Sequence, residues 1–359
     1  MAKTTGINWC DSTFNPWIGC TRVSPACDHC YAAVSTPART RGIEWGQGKQ
    51  RQRTAHDNWK LPERWNRAQF SACKNCGWRG DPHHALVDAG PVLRCPSCEK
   101  PTLEKARRRV FCASLSDWLD NEVPIEWLVD LLDLIRRTPN LDYLMLTKRI
   151  GNWRGCLQTA FAFAQERGSN SSDYLNLCAW IDSWLSGHAP ANVWLGATVV
   201  NQAEADRDVP KLLQVPARIR FLSVEPMLGA VDLKNIPHPY RHEKADWVRL
   251  AVFNYGTPYP ASDGIHWVIC GGESGPKARP LHPDWVRSLR DQCAAAGVPF
   301  MFKQWGAWFP YEAINPSGVP IPGDAVLIPG ADPYILYERQ GKKRAGNTLD
   351  GRQHLEWPA

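Results

Sequence analysis

The 359-residue chain has no apolar run long enough to cross a bilayer. It also lacks a leading segment with a charged start, an apolar middle and a small-residue cleavage site. The two absences argue against a membrane or exported protein, and a cytoplasmic one is the expectation. No glycine-rich dinucleotide loop follows any candidate strand, which removes the main support for a doubly wound nucleotide-binding sheet.

Cysteine and tryptophan, by contrast, are plentiful, at 13 and 18 residues. In a cytosolic chain, close cysteines more often bind metal than form disulfides. Seven of the 13 fall into two tight sets. The other six, Cys10, Cys112, Cys156, Cys178, Cys270 and Cys293, are scattered and read as buried small hydrophobes.

The first set is Cys20, Cys27 and Cys30, followed at once by Tyr31. Three thiolates can hold three irons of a four-iron cluster and leave the fourth open for chemistry. The alternative is part of a zinc site, with Cys10 or His29 as fourth ligand. The second set is Cys73-Lys-Asn-Cys76, then 18 residues, then Cys95-Pro-Ser-Cys98. Two C-x-x-C knuckles at this spacing form a zinc-ribbon pattern, which closes a tetrahedron around one structural ion. The same thiolates suit iron as well as zinc.

Charge is unevenly placed. Residues 37–110 carry 16 Lys or Arg against 7 Asp or Glu, an excess of +9 within a chain of net charge +6. Such a segment suggests a polyanionic partner, with nucleic acid first, and Trp45, Trp59, Trp65 and Trp78 are candidates to stack on bases. Ordinary surface solvation is the competing explanation.

From Arg109 onward, apolar runs alternate with amphipathic stretches. Strands are expected at 110–115, 141–147, 193–199, 219–224, 265–270 and 298–303, with a short one before the first cysteine loop. Helices are expected at 124–137, 153–165, 174–185, 203–213 and 283–296, the last stopped by Gly297. Near-continuous apolar strands separated by helices indicate a parallel sheet covered on both faces. The expected fold is α/β: a partial or near-complete β/α (TIM-like) barrel with a small zinc-ribbon insertion. Residues 1–68 would begin the barrel and carry the cluster loop. Residues 69–106 would form the insertion, 107–304 the remaining β/α units, and 305–359 a C-terminal cap with a hairpin near Ala325–Glu338. An irregular insert is expected over about 229–264.

The Cys20–Cys30 loop resembles the cluster loop of radical S-adenosylmethionine enzymes, although its C-x6-C-x2-C spacing is longer than the usual C-x3-C-x2-C. A wider resemblance, to a phage family named after gene products thirty-seven and sixty-eight, rests on several motifs. They are Asn15-Pro-Trp17-Ile-Gly-Cys20, Cys27-Asp-His-Cys30-Tyr31, Ser223-Val-Glu225-Pro226, Gly271-Gly-Glu273-Ser-Gly275 and Leu349-Asp-Gly351. That family is radical-SAM-like, and its substrate is not established.

The resemblance implies a [4Fe-4S] cluster on Cys20, Cys27 and Cys30, S-adenosyl-L-methionine on the open iron, and a one-electron donor. It implies cleavage to a 5′-deoxyadenosyl radical that takes a hydrogen atom from the substrate, for which the basic segment suggests a nucleic acid or nucleotide. In β/α barrels the working residues sit at the C-terminal ends of strands. The cofactor-binding candidates there are Lys148, Arg149, Thr198, Glu225, Gly272 and Glu273, with Ser114, Ser116, Asp117, Thr147, Asn201, Lys303 and Gln304 as further strand-end residues. A non-catalytic zinc-containing nucleic-acid-binding protein is the alternative function.

Overall fold

A computed structural model describes residues 5–84, 86–87, 93–167, 172–236, 264–312, 322–328 and 332–358. The chain is a mixed α/β protein. Its main sheet has seven strands, β1 (Ser12–Phe14), β2 (Arg108–Cys112), β3 (Leu141–Thr147), β4 (Val193–Thr198), β5 (Ile219–Val224), β6 (Trp267–Gly271) and β7 (Phe300–Gln304). They lie side by side in sequence order. The pairs β1–β2, β2–β3, β5–β6 and β6–β7 are parallel. Sequential parallel strands with intervening helices are the topology of a partial β/α barrel.

The helices between and after these strands include α1 (Ile125–Arg137), α2 (Trp153–Arg167), α3 (Ser172–Leu185), α4 (Gln202–Leu213) and α5 (Pro283–Ala296). Leu128, Leu131, Leu132 and Ile135 of α1 are buried, as their shared face requires. Gly297 ends α5 at φ 66°, a left-handed cap open to glycine at no steric cost. All six residues of β4 and of β5 are buried, which explains why these strands read as continuous apolar runs.

The chain divides into two compact units. One comprises Met1–Cys20, Ile43–Leu146 and Arg154–Trp194; the other comprises Thr21–Gly42, Thr147–Trp153 and Leu195–Ala359.

In the first unit, Asn15 joins the exit of β1 to the exit of β2. Its Oδ1 accepts from Leu115 N at 2.8 Å, and its Nδ2 donates to Ser114 Oγ at 3.0 Å. A helix at His56–Arg67, absent from the sequence-based expectation, packs here, and its Asn58 donates to the Asn15 carbonyl at 2.8 Å. The cysteine-knuckle region forms a small antiparallel sheet of Ser71–Cys73, Arg79–Gly80 and Leu103–Lys105.

In the second unit, the chain after Trp305 adds a three-stranded antiparallel sheet of Phe309–Glu312, Val326–Leu327 and Ile335–Glu338. The expected hairpin is its Val326↔Tyr337 and Leu327↔Leu336 pairing. The final residues cover the free edge of β7, where Phe302 N donates to His354 O at 2.9 Å. Most of the expected insert at 229–264 lies outside the described residues. Its described start is a short turn, Leu233–Asn235, capped by Asp232.

Candidate functional site

The four knuckle cysteines converge. Their Sγ atoms lie within 4.8 Å of one another, with Cys73–Cys98 at 3.6 Å and Cys76–Cys95 at 3.5 Å. Sulfurs about 2.3 Å from one tetrahedral ion sit at such separations. Each knuckle is folded by the same backbone bonds. Gly77 N donates to Cys73 O at 2.9 Å and Glu99 N to Cys95 O at 2.8 Å. Gly77 and Glu99 occupy matching positions at φ 73° and 58°. The Thr102 hydroxyl, 3.0 Å from Cys73 Sγ, pulls that thiol down to about 6, whereas burial and the neighbouring cysteines raise Cys76 to about 11. Among the described residues this is the one group of three or more His, Cys, Asp or Glu ligand atoms so close together.

Cys20, Cys27 and Cys30 are outside that group. A four-iron cluster places each thiolate on a different iron, so it asks for a wider spread than a single ion does. Cys20 ends the first unit. Gly46 N donates to its carbonyl at 3.2 Å, and Arg51 packs beneath Gly19, whose φ is 108°. Cys27 is buried in a single 3-10 turn, Pro25–Cys27, capped by Ser24, and Cys30 is half-buried. Cys10 is buried and donates to Ile7 O at 3.8 Å. Of the other scattered cysteines, Cys112, Cys178, Cys270 and Cys293 are buried and Cys156 is half-buried. Burial raises the thiol of Cys156 to about 11, and those of Cys112, Cys270 and Cys293 are also raised. They fit the expected role of small hydrophobes.

Several strand-end candidates meet in the second unit. Arg149, buried just after β3, donates through Nη2 to the carbonyl of Thr21. Lys148 beside it is half-buried. Glu273, just after β6, is 6% exposed and faces His29 Nδ1 at 3.1 Å. Arg279 forks onto the same carboxylate, with Nε at 2.9 Å and Nη2 at 2.7 Å. Burial opposes the charge on Glu273, but the Arg279 side chain and backbone N–H and the His29 bond hold its pKa below the usual value. Thus both Arg149 and Glu273 touch the loop that carries Cys27 and Cys30.

Glu225, after β5, receives Lys303 Nζ at 2.8 Å and Gln304 Nε2 at 3.1 Å. Among the described residues the Oε1 of Gln304 and the hydroxyl of Thr198 are buried without a hydrogen-bond partner. Gly271 and Gly272 are small for a reason. A Cβ on Gly271 would lie 3.2 Å from Glu225 Oε1, and one on Gly272 would lie 1.8 Å from Trp305 O.

Other candidates have structural duties. Asn201 caps α4 by accepting from Glu204 N at 3.0 Å, and Asp117 accepts from Leu119 N at 3.0 Å. Arg279 and Arg51 escaped the sequence reading, because lone arginines outside any motif carry no local signal.

The basic segment is largely paired within the first unit. Arg51 bonds Asp120 and Glu122, Arg53 bonds Asp130, Arg79 bonds Asp11, and Arg107 bonds Asp142. Trp59 lies under Arg53 at 4.3 Å and Trp65 under Arg108 at 5.7 Å. Arg39, Arg41, Arg64 and Arg67 are exposed and have no ion pair among the described residues.

A family model described as "Protein of unknown function (DUF5131)" matches residues 4–358. No curated protein and no solved structure matches the chain.

Proposed function

Given that the chain belongs to the DUF5131 family, we propose that it is a radical S-adenosylmethionine-type iron–sulfur enzyme. In this reading Cys20, Cys27 and Cys30 hold a [4Fe-4S] cluster with one open iron, and the knuckle cysteines hold a structural zinc in a ribbon insertion. The observation that carries the reading is the tethering of the cysteine loop, by Arg149 to Thr21 and by Glu273 to His29, to the C-terminal ends of β3 and β6. This is the end of a parallel β/α sheet where reacting groups belong. The donor set fits the cluster, since it is three thiols with no fourth cysteine in the loop. When bound, such a cluster supplies single electrons to a sulfonium cofactor on its open iron.

The chain's own residues would then bind and orient. Glu225 and Lys303 present a negative and a positive group 2.8 Å apart, a match for the two charges of an amino-acid moiety. Thr198 and Gln304 bring unsatisfied polar atoms to strand ends of the same unit. A nucleic acid or nucleotide is the proposed substrate class, supported by the exposed arginines at 39, 41, 64 and 67, which have no ion pair among the described residues. A soluble one-electron donor is the implied partner. Among the described residues no helix is long and apolar enough to cross a membrane.

Anaerobic reconstitution with iron and sulfide tests the reading. About four irons per chain and an electron paramagnetic resonance signal altered by S-adenosylmethionine are expected. Zinc in both cysteine sets, with no retained iron, would replace the reading with a zinc-containing nucleic-acid-binding protein.

A further inference from the structure

We propose that Glu273 is a positioning residue, which fastens the Cys27–Cys30 turn to the end of β6 through His29 and Arg279. The inference rests on the cluster reading above for its purpose, but its geometry stands alone. A carboxylate offers about four acceptor sites. Glu273 Oε2 accepts from Arg279 N at 2.8 Å, Arg279 Nε at 2.9 Å and His29 Nδ1 at 3.1 Å, while Oε1 accepts from Arg279 Nη2 at 2.7 Å. Three donors thus crowd Oε2 and one takes Oε1, so most of the carboxylate's accepting capacity is spent on holding the turn. An acceptor-only carboxylate also fixes the His29 tautomer, with the proton on Nδ1.

The same arginine grips the cysteine turn directly. Its Nη1 donates to Asp28 Oδ2 at 3.1 Å and its Nη2 to Pro25 O at 2.8 Å. Pro25, Asp28 and His29, which surround Cys27 and precede Cys30, are thus held by one anchor. The turn needs one. Beyond the 2.8 Å bond from Cys27 N to Ser24 O, its internal backbone bonds are long, at 3.3 Å for Asp28 N to Pro25 O and 3.4 Å for Cys30 N to Cys27 O. Short turns of this kind open at low free-energy cost unless tied from outside.

The anchor is itself braced by the C-terminal segment. Ala307 N donates to Glu273 O at 2.8 Å, and Trp308 Nε1 donates to Ala278 O at 2.8 Å. Arg339 Nη2 donates to the carbonyls of Gly275 at 2.7 Å and Pro276 at 2.8 Å. The close backbone approach at Gly272 and Gly306 admits no Cβ, which would fall 1.8 Å from Trp305 O or 2.2 Å from Glu273 O. Tail, Gly-Gly-Glu loop and cysteine turn form one hydrogen-bonded chain of supports, as a site that must hold its ligands at fixed spacing requires.

The test uses the full-length protein as isolated, with any ion on the knuckle cysteines retained and no cluster reconstituted. Iodoacetamide labelling of Cys27 and Cys30 is followed by mass spectrometry in wild type, Glu273→Gln and Arg279→Ala, with the labelling rate of half-buried Cys156 as the internal fold control. Cys27 is expected to label about tenfold faster in both variants while Cys156 is unchanged. A Cys27 rate within about twofold of wild type in both variants would overturn the proposal. Reconstitution with iron and sulfide then separates it from the cluster reading. If wild type takes up no iron but the labelling difference holds, the positioning role stands and the cluster falls. If Glu273→Gln takes up the cluster with the wild-type resonance line shape and an unchanged Cys27 rate, the positioning role falls and the cluster stands.

Discussion

Arg51 and Asp120 form an ion pair withdrawn from solvent, with Nε to Oδ2 at 2.8 Å and neither side chain exposed. The Arg51 guanidinium also donates to the carbonyl of Gly46, at 3.0 Å, and packs beneath Gly19. It thereby supports the backbone on either side of Cys20. Stranding a buried charge costs about 3–5 kcal/mol. Asp120→Ala leaves Arg51 its longer contact with Glu122 at 3.4 Å, so the loss in urea unfolding should fall at or below the lower end of that range. A loss below about 1 kcal/mol would mean that water reaches the pair.

That pair also changes how the basic segment is to be tested. Arg108 lies over Phe70 at 4.7 Å and Arg109 over Trp194 at 5.5 Å. Neutralising Arg107, Arg108 and Arg109 would therefore report on packing more than on phosphate contacts. Arg39 and Arg41 in the second unit, and Arg64 and Arg67 in the first, are exposed arginines without ion pairs among the described residues. If the substrate is a nucleic acid, changing all four to Gln should weaken binding. It should also flatten the dependence of log affinity on log salt, by roughly one unit of slope per lost phosphate contact. Equal slopes for wild type and variant would remove these arginines from the interface.

The knuckle site makes a separate prediction. The strands around Cys73, Cys76, Cys95 and Cys98 are two or three residues long, too short to hold a fold without a bound ion. If these cysteines hold an ion, Cys98→Ser should release it and expose Arg79, Arg94 and Lys100 to trypsin, while the parallel strands stay protected. Wild-type cleavage rates after metal loss would show that the insertion folds on its own.

Gly272 gives the sharpest steric prediction. A methyl group there would overlap a backbone carbonyl, Trp305 O, that cannot rotate away. Gly272→Ala should cost about 1–3 kcal/mol or more, the usual range for overpacking. Thermal unfolding indistinguishable from wild type would contradict the close approach.

Much of the barrel was legible because its strands are buried on both faces. β3 at Leu141–Thr147, β5 at Ile219–Val224 and α5 at Pro283–Ala296 fall at the expected bounds. The helix at His56–Arg67 was hidden by its internal Pro62 and by a polar composition in which Trp59, Leu61 and Trp65 are sparse apolar markers. The four knuckle cysteines were legible because their spacing alone dictates convergence. The pairing of Arg51 with Asp120, or of Arg279 with Glu273, was not. Such pairs are fixed by tertiary geometry, and a charge count cannot distinguish a solvated arginine from a buried one.

The Leu349-Asp350-Gly351 motif has a physical role that pH should expose. Asp350 accepts from Arg287 Nε at 3.0 Å and from Arg290 Nη1 at 2.7 Å, tying the end of the chain to α5. Partial burial opposes its charge, but the two arginines hold its pKa below 3.8. A carboxylate with a depressed folded-state pKa stabilises the fold at pH values above its unfolded value. That contribution fades as pH falls through the lower folded value. Because the group is partly exposed, screening limits the effect to about 1 kcal/mol. Asp350→Asn should therefore be less stable than wild type by about that amount at pH 7 in urea unfolding. The difference should shrink as pH drops below 3.8 and both chains become neutral at this position. It should also shrink in high salt at pH 7. A gap that persists unchanged in acid would mean that Asp350 acts through the left-handed backbone turn it occupies, at φ 50°, and not through its charge.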